Sequence, residues 1–170
     1  MQHEIEDQYC PHVHESQISA ACYEPFSQVK VTADRTGVVS VFRASNLRPF
    51  FTVKVNGAVD GALSVSTGGK YLGVGDDSGS LHVYDLEYQQ LLFEESREGS
   101  RGLSRAFRAL SFTPTGALLA AISVDGILRI WNLTDGTRNA YQGFTGGSLE
   151  FDRRGERLLI IGEDNQPKLF

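Results

Sequence analysis

Cys10, His12, His14 and Cys22 are the side chains near the start of the chain with metal-ligating chemistry. Thiolate and imidazole both bind zinc, and along an extended segment the alternation of side chains turns His12 and His14 to the same side. Their spacing matches no zinc pattern, so a structural role is expected and no metal or cofactor is assigned. Asp76 and Asp77 are adjacent carboxylates, a pair suited to acid–base work or to holding a cation. The matching stretch Asp34-Arg35-Thr36-Gly37 points instead to a solvated hairpin turn. The glycines between Gly143 and Gly147 lack the lysine and helix signals of a phosphate loop, and no serine sits in a nucleophile elbow. No catalytic residue is assigned, and the chain is expected not to be an enzyme.

Arginine offers more. The stretch from Glu94 to Arg108 places Arg97, Arg101 and Arg105 every fourth residue, so a helical turn would align them to grip an acidic peptide, a phosphorylated partner or nucleic acid. Glu94, Glu95 and Glu98 nearly cancel that charge, and Gly99 with Gly102 favours a solvated loop. Ser100 and Ser104 follow Arg97 and Arg101 at the spacing of a basic-directed phosphorylation site. Arginine is enriched among interface anchors. Arg35, Arg48, Arg97, Arg101, Arg105 and Arg108, at loops or strand ends, are therefore the candidate partner contacts.

The rest of the composition narrows the setting. Sixteen basic residues against 21 acidic ones give a net charge of -5, which weighs against a general affinity for phosphate backbones. Two cysteines make no disulfide framework, so a reducing compartment, cytoplasmic or nuclear, is expected. The start Met1-Gln2-His3-Glu4-Ile5-Glu6-Asp7 has no apolar core of a signal peptide, and no apolar run reaches membrane-spanning length.

Eighteen glycines without long helical periodicity imply many short strands, and a recurring frame positions them. Pro25, Thr67, Pro114 and Arg153 each precede Gly37, Gly79, Gly126 and Asn165 by twelve residues. Tyr23, Val65, Phe112 and Phe151 each precede an aromatic, Phe42, Tyr84, Trp131 and Phe170, by nineteen. Length varies only between frames, where stacked units tolerate loops. Inside a frame the order is strand a, turn, strand b, turn, strand c, followed by an outer strand d. Ala109–Phe112, Leu118–Ile122, Ile127–Trp131 and Asn139–Tyr141 fill these places in the third unit. The apolar runs Leu118–Ile122 and Leu158–Ile161 predict b strands covered on both faces. Pro167 falls within strand c of the last unit, which makes that strand an edge or the unit irregular.

These residues resemble the WD-repeat family, most clearly at Phe112-Thr113-Pro114-Thr115-Gly116-Ala117-Leu118-Leu119 and at Ser123-Val124-Asp125-Gly126 running into Ile130-Trp131-Asn132-Leu133. The resemblance implies an all-β fold of propeller blades with four antiparallel strands each. About four blades are expected here, as part of a larger ring of about seven. Residues 1–13 read as an N-terminal extension and 14–170 as the propeller segment, with blades at 14–55, 56–93, 103–141 and 142–170, the last incomplete. In the family a loop His, a turn Asp, a strand-b hydroxyl and the strand-c Trp pin each blade, and no unit here has the full set. His14 stands at the His position, but Thr36 replaces the turn Asp and Phe42 the Trp. Asn56, Leu103 and Gln142 occupy the later loop positions, and Ser78 replaces the second turn Asp. Asp125 and Asp164 keep the acid. His14, Phe42, Tyr84, Asp125, Trp131, Asp164 and Phe170 are thus the structural repeat positions, and stability is expected to rest on apolar stacking more than on polar networks. The implied function is a scaffold for protein–protein interactions, with protein partners and with self-association through exposed blade edges. The alternatives are a nucleic-acid-associated scaffold in replication or ribosome assembly, and a propeller enzyme with a loop-built site.

Overall fold

The computed structural model of the chain describes residues 13–45, 48–96, 106–144, 146–162 and 166–170. Among the described residues fifteen strands form four antiparallel sheets, and no helix occurs. The first sheet is β1 (Ile18–Glu24), β2 (Val29–Asp34), β3 (Val38–Arg43) and β4 (Phe51–Lys54). The second is β5 (Leu63–Val65), β6 (Tyr71–Gly75), β7 (Leu81–Asp85) and β8 (Gln90–Glu95). The third is β9 (Phe107–Phe112), β10 (Leu118–Ser123), β11 (Ile127–Asn132) and β12 (Arg138–Gln142). The fourth holds β13 (Gly146–Phe151), β14 (Leu158–Gly162) and β15 (Pro167–Leu169). Each sheet is ordered as its strands follow in the chain, and the four are the blades of a β-propeller.

The frame seen in the sequence is a backbone requirement. The turn between the second and third strands of blades 1 to 3 closes on a glycine at positive φ, Gly37 (86°), Gly79 (86°) and Gly126 (76°). Their N–H groups donate to the carbonyls of Asp34, Asp76 and Ser123. A side chain at Gly37 would also run into the Val55 carbonyl oxygen, 2.5 Å from the position of a Cβ.

Apolar residues then bury one sheet against the next. β1 lies on β5, β5 and β6 on β9, and β9 and β10 on β13. Val29, Val31, Ala33, Val39 and Val41 of blade 1 pack on Leu63, Leu72, Val74 and Tyr84 of blade 2. Leu81 and Val83 meet Leu110, Phe112, Leu119 and Trp131. Ala120, Ile122 and Leu128 meet Leu149, Leu158 and Ile160. A fully buried Val or Leu of this kind contributes about 1.5–3 kcal/mol.

Coverage of the b strands differs between blades. Leu119 to Ile122 are buried throughout, with a neighbour on each face, whereas β14 alternates, with Leu158 and Ile160 buried and Leu159 and Ile161 about two-fifths exposed. The apolar run Leu158–Ile161 is therefore covered on one face only, because no sheet lies on the other among the described residues. Pro167 begins β15, the edge strand of its sheet, opposite Ile161, where its missing N–H breaks no inner ladder.

Candidate partner-binding site

In blades 1 to 3 the second-to-third-strand turn and the end of the fourth strand, where the chain leaves for the next blade, lie at one end of the sheet, and here the chain builds a depression of ≈ 470 Å³. Arg35 comes from the turn of blade 1, Ala58 and Asp60 from the link into blade 2, and Asp77 from the turn of blade 2. Phe107 and Arg108 begin β9, and Val124 lies in the turn of blade 3. Three blades thus contribute to one surface. Backbone bonds stitch it together: Asp77 N–H donates to the Ala58 carbonyl (2.9 Å), Phe107 N–H to that of Asp76 (3.3 Å), and Val124 N–H to that of Ala106 (2.9 Å). Asp77 also accepts the Ala58 N–H on Oδ1 at 2.9 Å, so both its backbone and its carboxylate hold the incoming link. Gly57 permits this approach, since a Cβ there would collide with that same oxygen.

Beneath the turns lie buried polar pairs. His14 meets Asp34 Oδ2 through Nδ1 at 2.9 Å and Thr32 Oγ1 through Nε2 at 2.7 Å. Asp34 Oδ1 accepts from the hydroxyl and N–H of Thr36 and from the Val38 N–H. Burial by itself raises the Asp34 carboxyl, but the bonds from Thr36, His14 and Val38 outweigh it and hold the group below the usual carboxylate range. Asp76 repeats the arrangement, taking Ser78 Oγ (2.6 Å) and the Ser80 N–H (2.9 Å) on Oδ1 while His82 Nε2 stands 3.5 Å from Oδ2. There too burial raises the carboxyl, and His82 with these donors brings the net value down. In blade 3 the order along the chain is reversed: Ser123 Oγ donates to Asp125 Oδ1, and Arg129 Nη1 donates to Ser123 at 2.8 Å.

Two sequence expectations need correction. The acid that pins blade 1 is Asp34, two residues before Thr36, so Thr36 is its hydroxyl partner and no substitute for it. Asp76 is fully buried, so the Asp76-Asp77 turn is a structural clasp, not a solvated hairpin. Buried polar pairs accordingly supplement the apolar stacking in the first three blades.

The candidate contacts divide. Arg35 and Arg108 are both exposed and line the same depression. Arg48, also exposed, lies on the connection between β3 and β4, at the opposite end of its blade. Arg97, Arg101 and Arg105 fall outside the described residues, as do Asp164, Cys10 and His12. Among the repeat positions, Phe42, Tyr84 and Trp131 are buried, and Phe170 packs edge-on against Tyr141 and Phe144. The Tyr84 hydroxyl is pushed up to about 12, first by burial and then by Glu94 and Asp76.

Sequence spacing does not signal which partners the neighbouring acids meet. Asp60 and Asp77 put acids beside the two arginines of the depression. Glu95 accepts Trp131 Nε1–H at 2.7 Å on one oxygen and pairs with Arg138 through the other, joining β8 to the next blade. Among the described residues no group of three or more His, Cys, Asp or Glu side chains is placed to hold a metal ion.

Comparison with known proteins agrees with this architecture. The family description "WD domain, G-beta repeat" matches residues 101–132. The chain is 25% identical over 114 residues to the WD repeat-containing protein SL1-17 of Schistosoma mansoni, covering 67% of this chain and 36% of that protein. It is 35% identical over 98 residues to the COMPASS component SWD2 of Saccharomyces cerevisiae, covering 54% of this chain and 29% of that one. The chain spans about a third of the length of these curated relatives. No helix among its described residues is long and apolar enough to cross a membrane.

Proposed function

We propose that the chain, which matches a WD-repeat family model over residues 101–132, is a non-catalytic scaffold that holds partner proteins in a multiprotein complex inside the cell, in cytoplasm or nucleus. One observation supports this reading most: arginines and acids from three successive blades line a single depression together with Phe107 and Val124. Arg35 and Arg108 bring guanidinium groups suited to carboxylates, Asp60 an acceptor for a basic group, and Phe107 with Val124 apolar surface. Such mixed chemistry suits a polypeptide segment better than a phosphate backbone, because the acids beside the arginines would repel the latter. One relative's name describes it as a component of a complex, which fits a binding role.

The test is co-purification from cells with Arg35→Glu and Val124→Asp variants beside Arg48→Glu, whose site lies at the opposite end of the blade. The first two should lose the co-purifying polypeptides at least tenfold while the third retains them. Equal recovery with all three would contradict the assignment.

A further inference from the structure

The link from blade 1 to blade 2 carries the one Asn-Gly pair of the sequence, Asn56-Gly57. That pair is held from both sides. The Val55 N–H donates to the Gly37 carbonyl at 2.9 Å, and Asp77 clasps Ala58 through both its N–H and its carbonyl, each at 2.9 Å. Val55 and Val59 are buried in the core between blades 1 and 2, while Asn56 between them is exposed. Packing around the link is close. A Cβ at Gly57 would collide with Asp77 Oδ1 and lie 3.0 Å from Asp76 Cγ, and the Gly57 carbonyl oxygen is 2.7 Å from the place of a Cβ on Gly37. The fold therefore requires glycine at 57.

This requirement has a chemical consequence. A glycine after asparagine leaves the backbone nitrogen unshielded by a side chain, so it can close a five-membered ring on the asparagine amide carbon. Among the described residues neither the Asn56 amide nor the Gly57 N–H has a hydrogen-bond partner, so neither is held back from reaction. We propose that Asn56 is a site of spontaneous modification, at which the folded chain forms a succinimide with Gly57 that opens to isoaspartate and aspartate. The Gly57 nitrogen attacks Asn56 Cγ, the N–Cγ bond forms, the Cγ–Nδ2 bond breaks, and ammonia leaves with the proton of the Gly57 N–H. Water then adds to either imide carbonyl. Cleavage of the new bond to Cγ gives aspartate, and cleavage of the bond to the Asn56 backbone carbonyl carbon gives isoaspartate. Both products add a carboxylate to the link. In isoaspartate the chain also runs on through Cβ and Cγ, which puts one more backbone atom into a segment pinned at Val55 and Ala58, so the clasp with Asp77 opens. Ala58 lines the depression, and conversion thereby alters its wall. Gln142-Gly143 offers a comparison within the same chain, standing nine residues before Phe151 as Asn56-Gly57 stands before Val65. Its longer side chain must close a six-membered ring, a much slower reaction.

Peptide mapping by mass spectrometry of the purified chain, held at neutral and at mildly alkaline pH, tests this. The peptide with Asn56 should take on the mass of an acid in place of an amide at least tenfold faster than those with Asn132 or Gln142, and faster at the higher pH. Two products of equal mass should appear, and the isoaspartyl one should accept a methyl group from protein-isoaspartate methyltransferase. Asn56→Gln should abolish both signals at this position. In the isoaspartyl fraction the Ala58 and Asp77 amides should exchange hydrogen at least tenfold faster than in fresh protein. In Asn56→Asp, which adds the charge without lengthening the chain, they should not. Conversion only after unfolding in urea, conversion to aspartate alone, or unchanged amide exchange in the isoaspartyl fraction would each overturn the proposal. None of these readouts depends on partner binding at the depression.

Discussion

Asp34 and His14 stand 2.9 Å apart, joining a segment that precedes β1 to the turn after β2. The carboxylate is fully buried, so the imidazole together with the Thr36 and Val38 donors offsets most of its desolvation. Replacing His14 by Ala leaves Asp34 Oδ2 short of a partner. We expect a loss of about 1–3 kcal/mol in urea unfolding, the usual range for orphaning a buried polar group. A loss under about 0.5 kcal/mol would mean that water replaces the ring without cost.

Acid sensitivity follows from the same pairs. Asp34 and Asp76 are both depressed below the usual carboxylate range, so each stabilises the fold above its unfolded-state value, and that stability is lost as pH falls through the lower folded-state value. Stability should fall steeply only below about pH 4, the ordinary carboxylate range. Asp34→Asn and Asp76→Asn should each flatten that limb in urea titrations at stepped pH. An unchanged slope in both variants would show that these carboxyls are not the titrating groups.

Much of the fold was legible because it is local. A glycine with positive φ in the second-to-third-strand turns of blades 1 to 3, and a constant distance from strand a to the strand-c aromatic, follow from backbone geometry and survive wide changes of side chain. The pins were less legible for two physical reasons. Asp34 precedes Thr36 and Asp76 precedes Ser78, but Ser123 precedes Asp125, so the same bonded pair occurs in both orders. Other partners, such as Glu95 and Trp131, meet across blades, where sequence spacing carries no information. In the candidate site, position along the frame put Arg35 and Asp77 at equivalent places in successive turns but could not reveal that Asp60 and Arg108 would line the same depression.

Core substitutions should follow coverage. Leu119 is fully buried between blades 2 and 3, whereas Leu92 on β8 is two-fifths exposed. Leu119→Ala should cost about 2–5 kcal/mol and Leu92→Ala less than about 1 kcal/mol by denaturant unfolding. Equal costs would contradict the stacking.

The Cys22 thiol is pushed up to about 12 by burial against blade 2. Thiolate is the reactive form, so at pH 8 native Cys22 should react with iodoacetamide at least tenfold more slowly than in urea, as followed by mass spectrometry. Equal rates would show that blade 2 does not cover it.

The account rests on recognition at the loop end of stacked blades, and site-specific photocrosslinking reads this most directly. A benzophenone side chain introduced at Val124, on the rim of the depression, should join the chain covalently to partner polypeptides in cells, while the same group at Arg48 should not. Crosslinks from Arg48 with none from Val124 would contradict it.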